Sequence, residues 1–107
     1  MRLTDDELAQ MWLRYTADRN EPDREALIRH YDPLVKFLAR RAIAKAPAHQ
    51  DAEDLISNAY RGLLEAVERF EPERGLKFET YASRRVSGAI VDGQRKDDPL
   101  TRSARKR

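Results

Sequence analysis

The stretch from Asp54 to Arg95, DLISNAYRGLLEAVERFEPERGLKFETYASRRVSGAIVDGQR, decides the fold. Leu55, Ile56, Ala59, Leu63, Leu64, Ala66, Val67 and Phe70 recur at intervals of three and four, which predicts a helix with a broad buried face. Asp51, followed by Asp54, supplies an N-terminal cap with favourable charge near the helix dipole. Glu71, Pro72, Glu73, Arg74 and Gly75 end the helix in a tight turn, where Gly75 tolerates a positive φ. A second helix is predicted from Phe78 to about Lys96, with Ala82, Val86, Ala89 and Ile90 inward. Gly88 and Gly93 each cost that helix about 1 kcal/mol relative to alanine. Close approach of another helix or of a DNA backbone would account for them.

Upstream, Leu8, Met11, Trp12 and Tyr15 share one helical face behind the capping-box pair Thr4 and Glu7, predicting a helix over 5–18. Asn20, Glu21 and Pro22 break it, with Pro22 suited to the first turn of the next helix. The apolar series Leu27, Ile28, Tyr31, Leu34, Val35, Leu38 and Ala42 runs across Pro33. It predicts either a kinked helix or two abutting helices. Ala46 to Gln50 reads as a loop, no strand alternation occurs, and no period of 20 to 50 residues repeats. The expected fold is all-α, a compact bundle of four to five helices in one domain over 1–107.

With 107 residues, 40% hydrophobic and 37% charged, the chain holds one modest core. Cysteine is absent, which excludes disulfides and thiolate metal sites and fits a cytoplasmic protein. No apolar run approaches membrane-spanning length, and the first residues lack a signal peptide's apolar core. The net charge of +2 is unevenly spread: residues 84–107 carry eight basic and three acidic side chains, whereas 51–73 carry seven acidic and two basic. One end suits a polyanion and the middle suits a basic partner, the alternative being solvated helix faces.

Catalytic patterns are missing. His30 and His49 stand alone, Asp51, Glu53 and Asp54 lack the glycine and distal glutamate of a calcium loop, and GLKFET is no phosphate-binding loop. Ser57, Ser83, Ser87 and Ser103 have no histidine near them in sequence. A non-enzymatic protein without cofactor or metal is expected. The nucleic-acid pattern is stronger: Phe78, Tyr81 and Arg85 share a face, with Lys77, Arg84 and Arg95 within reach of phosphates. Aromatics beside arginines suit single-stranded or opened DNA. Phe78 suits anchoring the helix on its neighbour better than stacking, and Tyr81, with its polar tip, suits either.

The Asp54–Arg95 run, in which DLI, GL, AVERF, RG and KFETYA keep their spacing, resembles region 2 of bacterial sigma factors of the primary-type family. LIRHYDPLVKFLARR resembles the first part of that region, and MWLRY the short helix before it. The resemblance implies a preceding helix in 1–20, region 2 over 22–96, and a basic tail or linker start in 97–107. RRVSGAIVDGQR followed by DDPLTRSAR is similar to the flagellar and sporulation-type (FliA- and WhiG-like) subgroup. That subgroup carries an Asp-Trp-x-Pro-Arg-Ser-x-Arg segment where this chain has Pro99 for tryptophan and Thr101 for proline. Ser87 and Gly93 replace larger residues.

The resemblance implies that Asp54, Ser57, Asn58, Tyr60 and Leu64 grip the clamp helices of the largest subunit of core RNA polymerase. It implies that Phe78, Thr80 and Tyr81 lie in the segment that melts promoter DNA, where an aromatic stacks on a flipped adenine of the minus-ten element's non-template strand. Arg84 and Arg85 occupy the positions of a tryptophan pair in primary factors. Ser87, Gly88 and Val91 lie on the face that reads the upstream edge of the element, and Lys77 and Arg95 flank it. A module docking an anti-sigma factor, or a decoy that occupies polymerase without initiating, is the alternative. The family's helix-turn-helix domain has no counterpart before Arg107, so the chain is expected to be an excised domain or a reduced relative.

Overall fold

The computed structural model describes residues 3–97, and side chains through Arg95. Helix α1 spans Asp5–Asp18, α2 Glu21–Lys45, α3 Ala52–Arg69 and α4 Phe78–Asp97, with a single 3-10 turn at Pro72–Arg74. No strand occurs among the described residues. The all-α bundle matches the sequence expectation with four helices. Pro99 and Thr101, and all of the tail from Asp98 on, lie outside the described residues.

Local chemistry sets the helix starts. Thr4 accepts from the Glu7 amide while the Glu7 carboxylate accepts from the Thr4 amide, each at 3.1 Å, which completes the capping box. Asn20 caps α2 by accepting from the Asp23 amide at 2.8 Å, with Pro22 in the first turn. Asp51 caps α3 through the Glu53 amide at 2.8 Å. Gly75 takes φ 79° after the 3-10 turn, a conformation that only glycine adopts without strain.

Pro33 neither splits nor ends α2, which continues as one helix of 25 residues. Pro33 and Arg29 are both exposed residues, so the Arg29 carbonyl, which loses its i+4 donor to the proline, lies on the outer side of the helix. Among the described residues every buried side chain is apolar or aromatic. The centre of the core is four aromatic rings, one from each helix or its end: Trp12, Tyr31, Phe70 and Phe78. Ring centroids lie 4.9 Å apart for Trp12 and Phe78, 5.0 Å for Trp12 and Phe70, 5.1 Å for Phe70 and Phe78, and 4.3 Å for Tyr31 and Phe78. The Trp12 indole donates to the Tyr31 hydroxyl at 3.3 Å, and burial pushes that hydroxyl's pKa up to about 12.

Helices α3 and α4 share the largest interface. Ile56, expected inside, is 39% exposed, and Leu64 is only half buried. The helix is rolled so that Ala59, Gly62, Leu63 and Ala66 face its neighbours. Gly62 sets the spacing, because a Cβ there would stand 2.7 Å from the Val86 Cα and 2.9 Å from the Arg85 carbonyl oxygen. The two glycines of α4 differ. Gly93 is buried against the Asn58 side chain from α3, whereas nothing lies within 4 Å of the Cβ position of Gly88. Gly62→Ala is therefore expected to lower stability by about 1–3 kcal/mol in urea titrations. Gly88→Ala, in open space within a helix, is expected to raise it by about 1 kcal/mol.

Candidate polymerase and DNA interfaces

Along α3, Asp54, Ser57, Arg61 and Glu68 are exposed at helical spacing and form an outward ridge. The other expected docking residues are engaged inside the bundle. Asn58 packs on Gly93, Leu64 is half buried, and the Tyr60 hydroxyl donates to the Asp32 carboxylate. Asp32 also pairs with Lys36 at 2.9 Å. The bond from Tyr60 is the main cause that holds the Asp32 carboxyl below its usual range, and the same carboxylate pushes the Tyr60 hydroxyl up to about 12.

Three of the seven carboxylates of residues 51–73 are paired at close range. Glu65 pairs with Arg85 at 2.7 Å, Glu68 with Arg24 at 3.3 Å and Glu71 with Arg74 at 2.9 Å. Glu53 and Asp54, exposed in the first turn of α3, enter no ion pair among the described residues. Free negative charge therefore sits at the N-terminal end of α3.

On α4 the expected DNA residues divide into two faces. Lys77, just ahead of the helix, and Thr80, Arg84, Ser87, Val91 and Arg95 are exposed at steps of three and four that make one continuous outward strip, with Gly88 exposed beside Ser87. The trio Phe78, Tyr81 and Arg85 does not form the expected stacking face. Phe78 is 4% exposed, at the centre of the aromatic core, and is corrected from a DNA contact to a core anchor. The reason is register: Phe78, Ala82, Val86 and Ile90 fall four apart and make the buried stripe. Arg85 flanks that stripe and is held by Glu65 on α3. Tyr81 is half buried with its ring 5.7 Å from Phe70, which leaves part of the ring accessible beside the strip.

Two elements escaped the sequence reading. Gly62 gave no helical-period signal, although its place between Ala59 and Ala66 marks a small-residue stripe. Arg41 and Lys45 of α2 come across from Ser87, Val91 and Arg95 of α4 around a groove of about 610 Å³. Some 50 residues separate those two sets of side chains in sequence.

The molecule is thus an all-α domain with an apolar four-helix core and an extended, largely polar strip on its last helix. Residues 27–99 match the family described as Sigma-70 region 2, and the chain belongs to that family. It is 40% identical over 97 residues to the RNA polymerase sigma-D factor of Bacillus subtilis (strain 168), which covers 91% of this chain and 38% of that protein. It is 39% identical over 89 residues to the RNA polymerase sigma factor FliA of Pseudomonas aeruginosa, covering 83% and 36%. Against the FliA factor of Escherichia coli (strain K12) it is 39% identical over 92 residues, covering 86% and 38%. The chain thus spans well under half the length of these curated relatives, and its subgroup is that of the FliA factors.

Replacing Tyr60 by Phe removes the donor to Asp32 and is expected to cost about 1 kcal/mol at neutral pH. The folded Asp32 carboxyl titrates below its ordinary 3.8, so the stability it adds is complete above that value and drains as pH falls through the folded value. Acid unfolding followed by circular dichroism is expected to show a shallower loss below about pH 4 in Tyr60→Phe than in the parent chain.

Proposed function

We propose that this domain recruits core RNA polymerase through α3 and engages the minus-ten promoter element through α4. The observation that carries the reading is the exposed strip Lys77, Thr80, Arg84, Ser87, Val91 and Arg95, which lies within the region matching the family. Docking uses the outward ridge of Asp54 and Ser57, with the free negative charge at the start of α3 facing the basic clamp helices of the largest subunit. Leu64 adds apolar contact at the edge of this ridge. Asn58 and Tyr60 act mainly by fixing α3 against α4 and α2.

At the DNA, Lys77, Arg84 and Arg95 hold phosphates of the non-template strand while Thr80 and the accessible part of Tyr81 receive an extruded base. Base stacking on an aromatic contributes about 1–3 kcal/mol, comparable with the few kcal/mol needed to unstack the base. Melting is then driven by capture of the opened strand, with no covalent chemistry. Ser87, Gly88 and Val91 present few donors to base edges, so this face contributes shape and backbone contact more than direct readout. Among the described residues no helix is long and apolar enough to cross a membrane. In this reading the protein acts in the cytoplasm beside polymerase, and an anti-sigma factor would cover the same ridge.

A regulatory reading, in which the domain occupies polymerase without initiating, draws on Arg84 and Arg85 standing at a tryptophan pair's positions. Transcription with core polymerase separates the two, comparing this chain alone with the chain fused to a helix-turn-helix domain. Start-site-specific transcript supports initiation, and dominant inhibition supports occupancy. Within the initiation reading, Tyr81→Leu keeps the packing on Phe70 but loses the stacking ring. It is expected to lower permanganate reactivity of unpaired thymines about tenfold, in line with the loss of one stacking contact, while co-elution with polymerase is unchanged. Asp54→Lys is expected to weaken co-elution at low ionic strength by about tenfold with its fold intact. Normal melting by Tyr81→Leu would remove the stacking role.

A further inference from the structure

The groove between the C-terminal halves of α2 and α4 is bordered by Arg41 and Lys45 on one side and Arg95 on the other, and no aspartate or glutamate lines it among the described residues. All three cations are exposed, and none enters an ion pair among the described residues. The Arg41 guanidinium lies over the Phe37 ring at 5.6 Å, a contact that orients the side chain without neutralising it. Gln94 of α4 donates to Gln50, just ahead of α3, at 2.8 Å and ties the end of the α2–α3 loop across to α4. The groove floor includes the apolar side chains of Ala42 and Ile90.

The opposite flank of α4 differs in charge. A smaller cleft of about 220 Å³ there mixes Arg61 and Arg84 with Glu65 and Asp92, and Arg85 within it is already paired. Three cations without an ion-pair partner among the described residues border this concavity and favour positive potential on the α2 side of α4. That side is continuous with the outward strip, because Ser87, Val91 and Arg95 belong to both.

We propose that Arg41 and Lys45 form a second phosphate-gripping rail, and that the groove seats the sugar-phosphate backbone of the DNA lying along α4. This rests on the reading of α4 as the DNA face. The rail contacts phosphates, and the apolar floor accommodates sugar edges, so its contribution is independent of base sequence. It gives α2, outside the segment that carries the aromatic and arginine pattern, a direct part in holding promoter DNA.

The test measures affinity of the polymerase-bound chain for a fluorescent fork-junction DNA as salt is varied, for the parent, Arg41→Gln/Lys45→Gln and Arg84→Gln. Loss of two phosphate contacts is expected to reduce the slope of log K against log salt by about 1 to 2, equally on matched and scrambled sequences. Arg84→Gln is expected to reduce it by about 1. The charge-keeping double variant Arg41→Lys/Lys45→Arg should retain the slope, and circular dichroism checks that every variant is folded. An unchanged slope in Arg41→Gln/Lys45→Gln, with a reduced one in Arg84→Gln, overturns the inference and leaves the groove to an acidic protein segment. An unchanged slope in both removes the reading of α4 as the DNA face, and this inference with it.

Discussion

The four-ring contact of Trp12, Tyr31, Phe70 and Phe78 is the constraint on which the other features depend. Each helix, or the residue at its end, contributes one ring that meets at least two of the others, so no helix can rotate without breaking a ring contact. Truncating a buried aromatic costs about 3–5 kcal/mol, a large part of the 5–15 kcal/mol by which small domains are stable. Once Phe78 is fixed inside, the period of the helix leaves little freedom for the rest of α4. Ala82, Val86 and Ile90 follow it inward, and Thr80, Arg84, Ser87, Val91 and Arg95 are carried outward. The polar strip is thus a consequence of core packing upstream of it.

Close contact between α3 and α4 fixes the two candidate surfaces relative to one another. Gly62 lets the backbones approach to a distance that no side chain would permit, Asn58 fills the space beside Gly93, and Glu65 holds Arg85. These three contacts lie at successive turns of α3. They leave the ridge of Asp54 and Ser57 and the strip of α4 on one rigid pair of helices, with the Tyr60 to Asp32 bond bracing that pair against α2. In the proposed function such rigidity matters, because a domain docked by one face then delivers the other in a set orientation, without a further entropic cost of ordering.

The helices, caps and most of the core were legible in the sequence because they depend on local signals: the Thr4 and Glu7 pair, Pro22 in a first turn, Gly75 after a proline-containing turn. The bounds of α1 agree with the spacing to the residue. Three aspects depended on tertiary placement. Pro33 could have divided its helix, and the helix instead runs through it unbroken. Phe78 and Arg85 shared a helical face with Tyr81, but which way that face pointed was set by the aromatic cluster, to which Trp12 and Tyr31 contribute from far upstream. The grouping of Arg41 and Lys45 with Arg95 arises only when α2 and α4 pack side by side, and a running charge count along the chain averages it away.

Charge placement carries a last consequence for how such a domain can work. The −5 of residues 51–73 would suggest a uniformly acidic rod, yet Glu65, Glu68 and Glu71 are each neutralised at 2.7 to 3.3 Å, leaving Glu53 and Asp54 as the open carboxylates of α3. The positive strip is likewise sparse, with Lys77, Arg84 and Arg95 spread over the length of α4. In the proposed function, three phosphate contacts along α4, or five with Arg41 and Lys45, supply a smaller salt-dependent attraction than about 6–10 such contacts would. Under that proposal the surface holds DNA weakly by itself and more firmly once another body has brought the strand alongside. The sparseness of the strip is therefore consistent with a domain that contributes selectively to an assembly, where weak intrinsic affinity limits capture of DNA by the unassembled chain.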